Sequence, residues 1–354
     1  MQNADSFEMP PRSPAPLLTT HLARVLALKP VIYAIALLWL ALAGSQITTA
    51  RMMTANGHLA AVMLLYAGYR LGRYGAKPLT WPLCVFWLLV TAVTLASGPT
   101  GKGLDRLYLY AILIGVYHLP IDLTALNRSA FRIGWLIMPL SFVIYPNPNI
   151  AAMAIWAIFW VGFPEDESDW KQPAWASAGI VAMLATNSEG GMLALLGGGA
   201  VYTWARLGRS KSFGLGLALI GLACVVMVTA AKVNDEGSFG LRLVMYRTAL
   251  ADIQAAPIWG HGAHTFQSFR ETGSPLSDSE HNLALTLARE TGLAGLLVVG
   301  WLVFRATRLQ KFSALSLAFI GAFVIHSMVD GPLYANFLGA IGLFLVLGGS
   351  DERH

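Results

Sequence analysis

Residues able to bind anions or move protons gather in one stretch of this chain. Arg242, Arg247, His261, His264, His281, Asn282 and Glu290 all fall between Val233 and Glu290, the only long polar interval in the sequence. Guanidinium groups grip phosphate oxygens in bidentate fashion, and a neutral imidazole takes up a proton. A chain that is otherwise apolar and loads one loop with arginine and histidine should do its work there. His261 and His264 have a spacing that invites zinc. No cysteine or third histidine lies at short spacing, however, and no His-Glu-x-x-His helix is present, so a metal is not expected. Gly260 and Gly262 make the stretch around them a tight turn or a place of close backbone approach.

These residues need elements to hold them. Arg242 to Ala255 has a helical pattern with Leu243, Tyr246, Leu250 and Ile253 on one stripe, and Pro257 ends it. Such a helix lies in the membrane interface, with Arg242 and Tyr246 projecting together and Arg247 on a neighbouring face. From the helix alone, two arginines touching lipid phosphates is the simpler reading. Ser277-Asp278-Ser279-Glu280 reads as a capping box with Ser277 at the N-cap, which places His281 and Asn282 in the first helical turn. Backbone N–H groups there receive an anion, and the dipole favours a neutral imidazole. Simple packing at a helix start explains His281 equally well. His326 and Asp330 stand at the outer end of a hydrophobic span, where ionisable groups are costly. His326, one turn deeper, should point into the bundle; Asp330 orients a histidine or faces water.

The framework around them is apolar. Of 354 residues, 56% are hydrophobic and only 12% charged, against about 25% charged in a soluble domain. A mean hydropathy of +0.58 leaves apolar surface that must face lipid. The expected fold is therefore all-α: a polytopic membrane bundle of about twelve spans with one elaborated outer loop. The spans lie near 26–45, 57–71, 79–97, 104–119, 130–146, 149–163, 173–187, 190–206, 212–231, 287–305, 312–329 and 333–349. Some are short, so eleven is also defensible. Residues 1–22 read as a disordered cytoplasmic tail, 23–231 as the first group of spans, 232–286 as the outer loop and 287–350 as the last spans. Net charge is +5, but the lysines and arginines sit in alternate short connections. Positive-inside topology explains them without nucleic acid and puts the loop outside. The connection from Pro164 to Lys171 is acidic, and acidic residues count little in this rule. Cys84 and Cys224 sit in apolar segments and suggest neither a disulfide nor a metal.

Several pieces in order then match one arrangement. Arg242, Tyr246, Ala249-Leu250, Pro257, Gly260-His261-Gly262 and Phe266 are followed by His281-Asn282, Glu290-Thr291-Gly292 and finally His326-Ser327, Asp330, Pro332-Leu333. This ordered set resembles the O-antigen ligase and O-antigen polymerase superfamily of membrane glycosyltransferases. The resemblance implies transfer of a glycan from a polyprenyl-pyrophosphate carrier to an acceptor hydroxyl on a glycan, a lipid A core or a protein. The reaction would take place at the periplasmic face of the bacterial inner membrane and need no cofactor. It implies His281 as general base and Arg242 as the pyrophosphate contact. Arg247, Tyr246, Asn282, His326 and Asp330 would support the substrates. One departure stands out: where the family carries a Ser-Arg at the outer start of an earlier span, this chain has Ser188-Glu189. That exchange leaves open a catalytically inactive partner of a glycosyltransferase. A lipid or polysaccharide transporter is a further alternative, but it would spread its charges along a path through the membrane.

Overall fold

Side-chain caps decide where many of the helices begin. The computed structural model describes residues 50–145, 147–164, 170–207, 239–269, 275–277, 281–310, 312–328 and 337–349. Within them the order is α1 (Ala50–Tyr74), α2 (Thr80–Ala96), α3 (Gly101–Tyr117), α4 (Leu123–Ile144), α5 (Pro148–Val161), α6 (Lys171–Thr186) and α7 (Glu189–Leu207). There follow α8 (Phe239–Ala255), β1 (Ser268–Phe269), β2 (Pro275–Ser277), α9 (Leu283–Leu309), α10 (Ala314–Ser327) and α11 (Phe337–Gly349). Thr100, Asp122, Asn147, Asn282 and Ser313 each accept backbone N–H groups at the start of α3, α4, α5, α9 and α10. Each occupies donors that the first helical turn leaves without partners.

The protein is thus helical, with β1 and β2 forming a two-stranded antiparallel ribbon. Ten of the twelve expected spans coincide with helices; 26–45 and 212–231 lie outside the described residues, as do the tail 1–22 and Cys224. Among the described helices, α9 alone is both long and apolar enough to cross a membrane by length and composition, while α2, α5 and α10 are apolar but shorter. Cys84 is a free thiol.

Helix α5 is apolar all round and buried from Ala151 to Trp160, as the central helix of a bundle must be. Trp175, Phe319 and Met183 close around it. The most extensive helix pair is α7 with α10, where small residues at Ala194, Gly198, Ala318 and Ala322 bring the axes close. Outward side chains are apolar too: Val143 is 81% exposed and Leu65 75%.

The helices alternate in direction, so the bundle has two distinct ends. At one end Lys77 donates to the carbonyls of Tyr117 and Gly348, Arg305 to Pro78 and Asn127 to Val161 and Phe163. This end gathers Arg70, Arg73, Lys77, Arg128, Arg132, Lys171, Arg206, Arg305 and Arg308. The opposite end holds the start of α9 and the residues that follow α8.

Candidate active site

Helix α9 is broken where the polar loop meets it. Gly292 adopts φ 60° and ψ −161°, a conformation open to glycine almost alone. A break of this kind strands backbone donors and acceptors, which must find partners away from water. The loop supplies them. His261 and Gly262 donate to the carbonyls of Arg289 and Glu290 at 2.9 and 3.0 Å, and Leu293 and Ala294 donate to Pro257 and Ile258 at 2.8 and 3.1 Å. The two backbones run so close that a Cβ at Gly260 would stand 2.6 Å from the Arg289 oxygen, and one at Gly292 would strike Ile258. The Gly-x-Gly and Glu-x-Gly spacings are therefore the two halves of a docking joint.

A buried carboxylate locks that joint. Glu290 is fully buried, pairs with Arg106 of α3 and accepts the His264 backbone N–H at 2.8 Å. Arg289, equally buried, lies 3.9 Å from Glu290 and 3.8 Å from Asp252. It also donates to the Thr265 hydroxyl at 2.8 Å and stacks over the Phe266 ring. Two guanidinium groups thus face two carboxylates, as buried charge requires. The Ala263 N–H donates to Thr94 of α2. One His261 ring nitrogen sits 2.8 Å from the Asp252 carbonyl; since that oxygen only accepts, the imidazole Nε2 must carry a proton there. Sequence reasoning missed Arg106 and Arg289. The signal for Arg106 was an arginine amid the apolar residues of a candidate span.

The packed face of α8 differs from the expected stripe. Met245 and Ala249 are buried with Phe266 against Leu285, whereas Leu250 and Val244 are exposed. At about 100° per residue, Arg242 lies about 20° from Ala249 around the helix and Arg247 about 160° from it. Arg242 is accordingly half-buried on the protein side, beside half-buried Tyr246, while Arg247 is exposed on the far side. Within the described residues neither arginine forms an ion pair.

The start of α9 also departs from expectation. Ser277 belongs to β2, Glu280 lies outside the described residues, and the N-cap is Asn282, which accepts the Leu285 N–H at 3.1 Å. His281 sits just before the helix rather than in its first turn, with φ 52°. The cap expected at Ser277 thus falls five residues later, at Asn282, whose amide nitrogen also reaches the Met328 carbonyl at 2.9 Å. That second bond ties the His-Asn pair to the end of α10, two residues beyond His326. His326 is fully buried, as expected, and accepts the Trp156 indole N–H on Nδ1 at 2.7 Å. Because indole only donates, Nδ1 is the unprotonated nitrogen. Asp330 lies outside the described residues.

Glu189 opens α7, half-buried. Ser188 just before it accepts the Gly191 N–H and donates to Asn149. A carboxylate in a first helical turn is favoured by the helix dipole, so Glu189 has a local structural role that an arginine would not fill. The structure thus draws α8, with Arg242 and Tyr246, onto Leu285, and the His281-Asn282 turn onto α10 near His326. Glu189 stands on the same end of the bundle, and Arg247 faces away. This end of the bundle thus carries one half-buried arginine, Arg242, and the imidazoles of His281 and His326.

No curated protein matches the chain. A family model described as O-antigen ligase does match residues 174–300, from α6 through the break in α9, and over that segment the chain is similar to the O-antigen ligase family.

Proposed function

We propose that the protein is an integral membrane glycosyltransferase that moves a polyprenyl-pyrophosphate-linked glycan onto an acceptor hydroxyl. It would work at the periplasmic face of a bacterial inner membrane, in lipopolysaccharide O-antigen or exopolysaccharide synthesis. The observation that carries this reading is the family match across residues 174–300, which contains both α8 with Arg242 and the His281-Asn282 turn. Their packing through Met245, Ala249, Phe266 and Leu285 supports a shared site. Outward apolar side chains such as Leu65, Val143, Leu297 and Phe304 suit lipid contact. The lysines and arginines of the opposite end suit a cytoplasmic face, and on that assignment about twelve spans cross the bilayer.

In this reading Arg242 holds the pyrophosphate and stabilises the charge it gains as the glycosidic bond breaks. His281 withdraws the acceptor's proton as the hydroxyl attacks the anomeric carbon. Tyr246 and Asn282 border the site, His326 and Asp330 orient groups around it, and the exposed Arg247 assists from the membrane side. No metal is needed, because guanidinium supplies the countercharge. Glu189 favours a second reading, a catalytically inactive partner of another glycosyltransferase, since a carboxylate repels pyrophosphate where an arginine would attract it. Chain-length analysis of surface polysaccharide in a deletion strain tests both. Loss of all capped lipid A identifies a ligase, and a single remaining repeat identifies a polymerase. An unchanged ladder contradicts the proposal.

A further inference from the structure

At the basic end, away from every residue given a role in transfer, a cavity of about 670 Å³ opens between α4, α5, α6, α10 and α11. Its polar wall carries Arg128, Arg132 and Lys171, and its apolar wall includes Phe131, Trp160 and Phe319. The volume and mixed lining are those of a site for a molecule with a small polar head. Arg128 and Arg132 are exposed, sit four residues apart on one face of α4, and pair with no described carboxylate. Like charges at that spacing repel weakly, and an anion between them relieves the repulsion. Asp122, the N-cap of α4, accepts the Thr124 and Ala125 N–H groups.

We infer that this cavity binds an anionic phospholipid from the leaflet at the basic end. Its phosphate lies between Arg128 and Arg132, and an acyl chain runs along Phe131, Trp160 and Phe319. Guanidinium groups meet the phosphate with charge-assisted hydrogen bonds. Basic pockets between helices at the cytoplasmic surface are suited to such head groups. Phosphate chemistry alone would also admit a free phosphate, but the aromatic wall favours an amphiphile. The inference rests on the membrane placement proposed above and not on glycosyl transfer.

The test is native mass spectrometry of the full chain released from detergent, titrated with phosphatidylglycerol, phosphatidylcholine or inorganic phosphate. Wild type should retain phosphatidylglycerol at least tenfold better than phosphatidylcholine, because each basic residue near a membrane surface contributes about fivefold. The Arg128→Gln/Arg132→Gln protein should lose that preference. The Arg73→Gln/Arg308→Gln protein, altered at exposed sites of the same end outside the cavity, should keep it. Equal preference in wild type and the Arg128→Gln/Arg132→Gln protein overturns the site. Equal loss in both variants reduces it to a diffuse basic surface, and displacement of lipid by millimolar phosphate assigns the cavity to a soluble anion instead. Failure of the membrane placement reads differently: the chain would then leave the membrane fraction without detergent.

Discussion

Replacing Gly292 by alanine should damage the protein far more than the same change eight residues further along α9. At Gly292 the φ and ψ of 60° and −161° lie in a region that costs an L-residue roughly 1–3 kcal/mol, and the new Cβ would strike the Ile258 carbonyl. Relieving that clash pulls Pro257 and Ile258 away from the Leu293 and Ala294 N–H groups. A buried donor left without a partner costs about 1–3 kcal/mol. Even with partial relaxation, the sum should reach about 3 kcal/mol or more. At Gly300 nothing lies within 4 Å of an added Cβ, and alanine there should be neutral or up to about 1 kcal/mol stabilising. Heat-induced unfolding of the two variants in the same detergent compares them directly. Gly292→Ala should unfold at clearly lower temperature and lose transfer, while Gly300→Ala should match or exceed wild type. Coincident melting curves would refute the docking joint.

Arg242→Ala should slow transfer about 100-fold or more by removing charge stabilisation at the leaving group, with little effect on folding. Arg247→Ala, changed on the far face of α8, should cost less than tenfold in the same transfer assay. Glu290→Gln removes the buried carboxylate that Arg106 and Arg289 share and should destabilise by about 3–5 kcal/mol, read as a fall in the detergent melting temperature. Reporter fusions after Gly237 and after His354 should give opposite signals, periplasmic and cytoplasmic; equal signals would contradict the alternation of basic connections.

The helices were legible because long apolar runs leave little choice. Segments 149–163 and 312–329 became α5 and α10 nearly as read. The ordered motifs also picked out the loop that docks onto α9. What they could not convey was how its parts divide labour. Gly260, Gly262, Glu290 and Gly292 serve a backbone joint, which only the approach of two distant segments makes visible. Along α8, apolar residues occur on both faces, so period alone chose Leu250 where packing chose Ala249. Asn282 and Ser277 are both good caps, and only the Met328 carbonyl, dozens of residues away, shows why Asn282 prevails. Arg106 completes the lock from α3, outside every motif and outside the matched segment.

The most direct test of the central claim is transfer by the purified chain in vesicles, with a polyprenyl-pyrophosphate-linked glycan, an acceptor and excess chelator. The account predicts that wild type transfers fully under these conditions. His281→Ala should be inert yet bind the donor within about threefold of wild type, because a base acts only as the hydroxyl attacks. Wild-type turnover by His281→Ala would contradict the mechanism, and loss of wild-type activity to chelator would contradict its independence of metal.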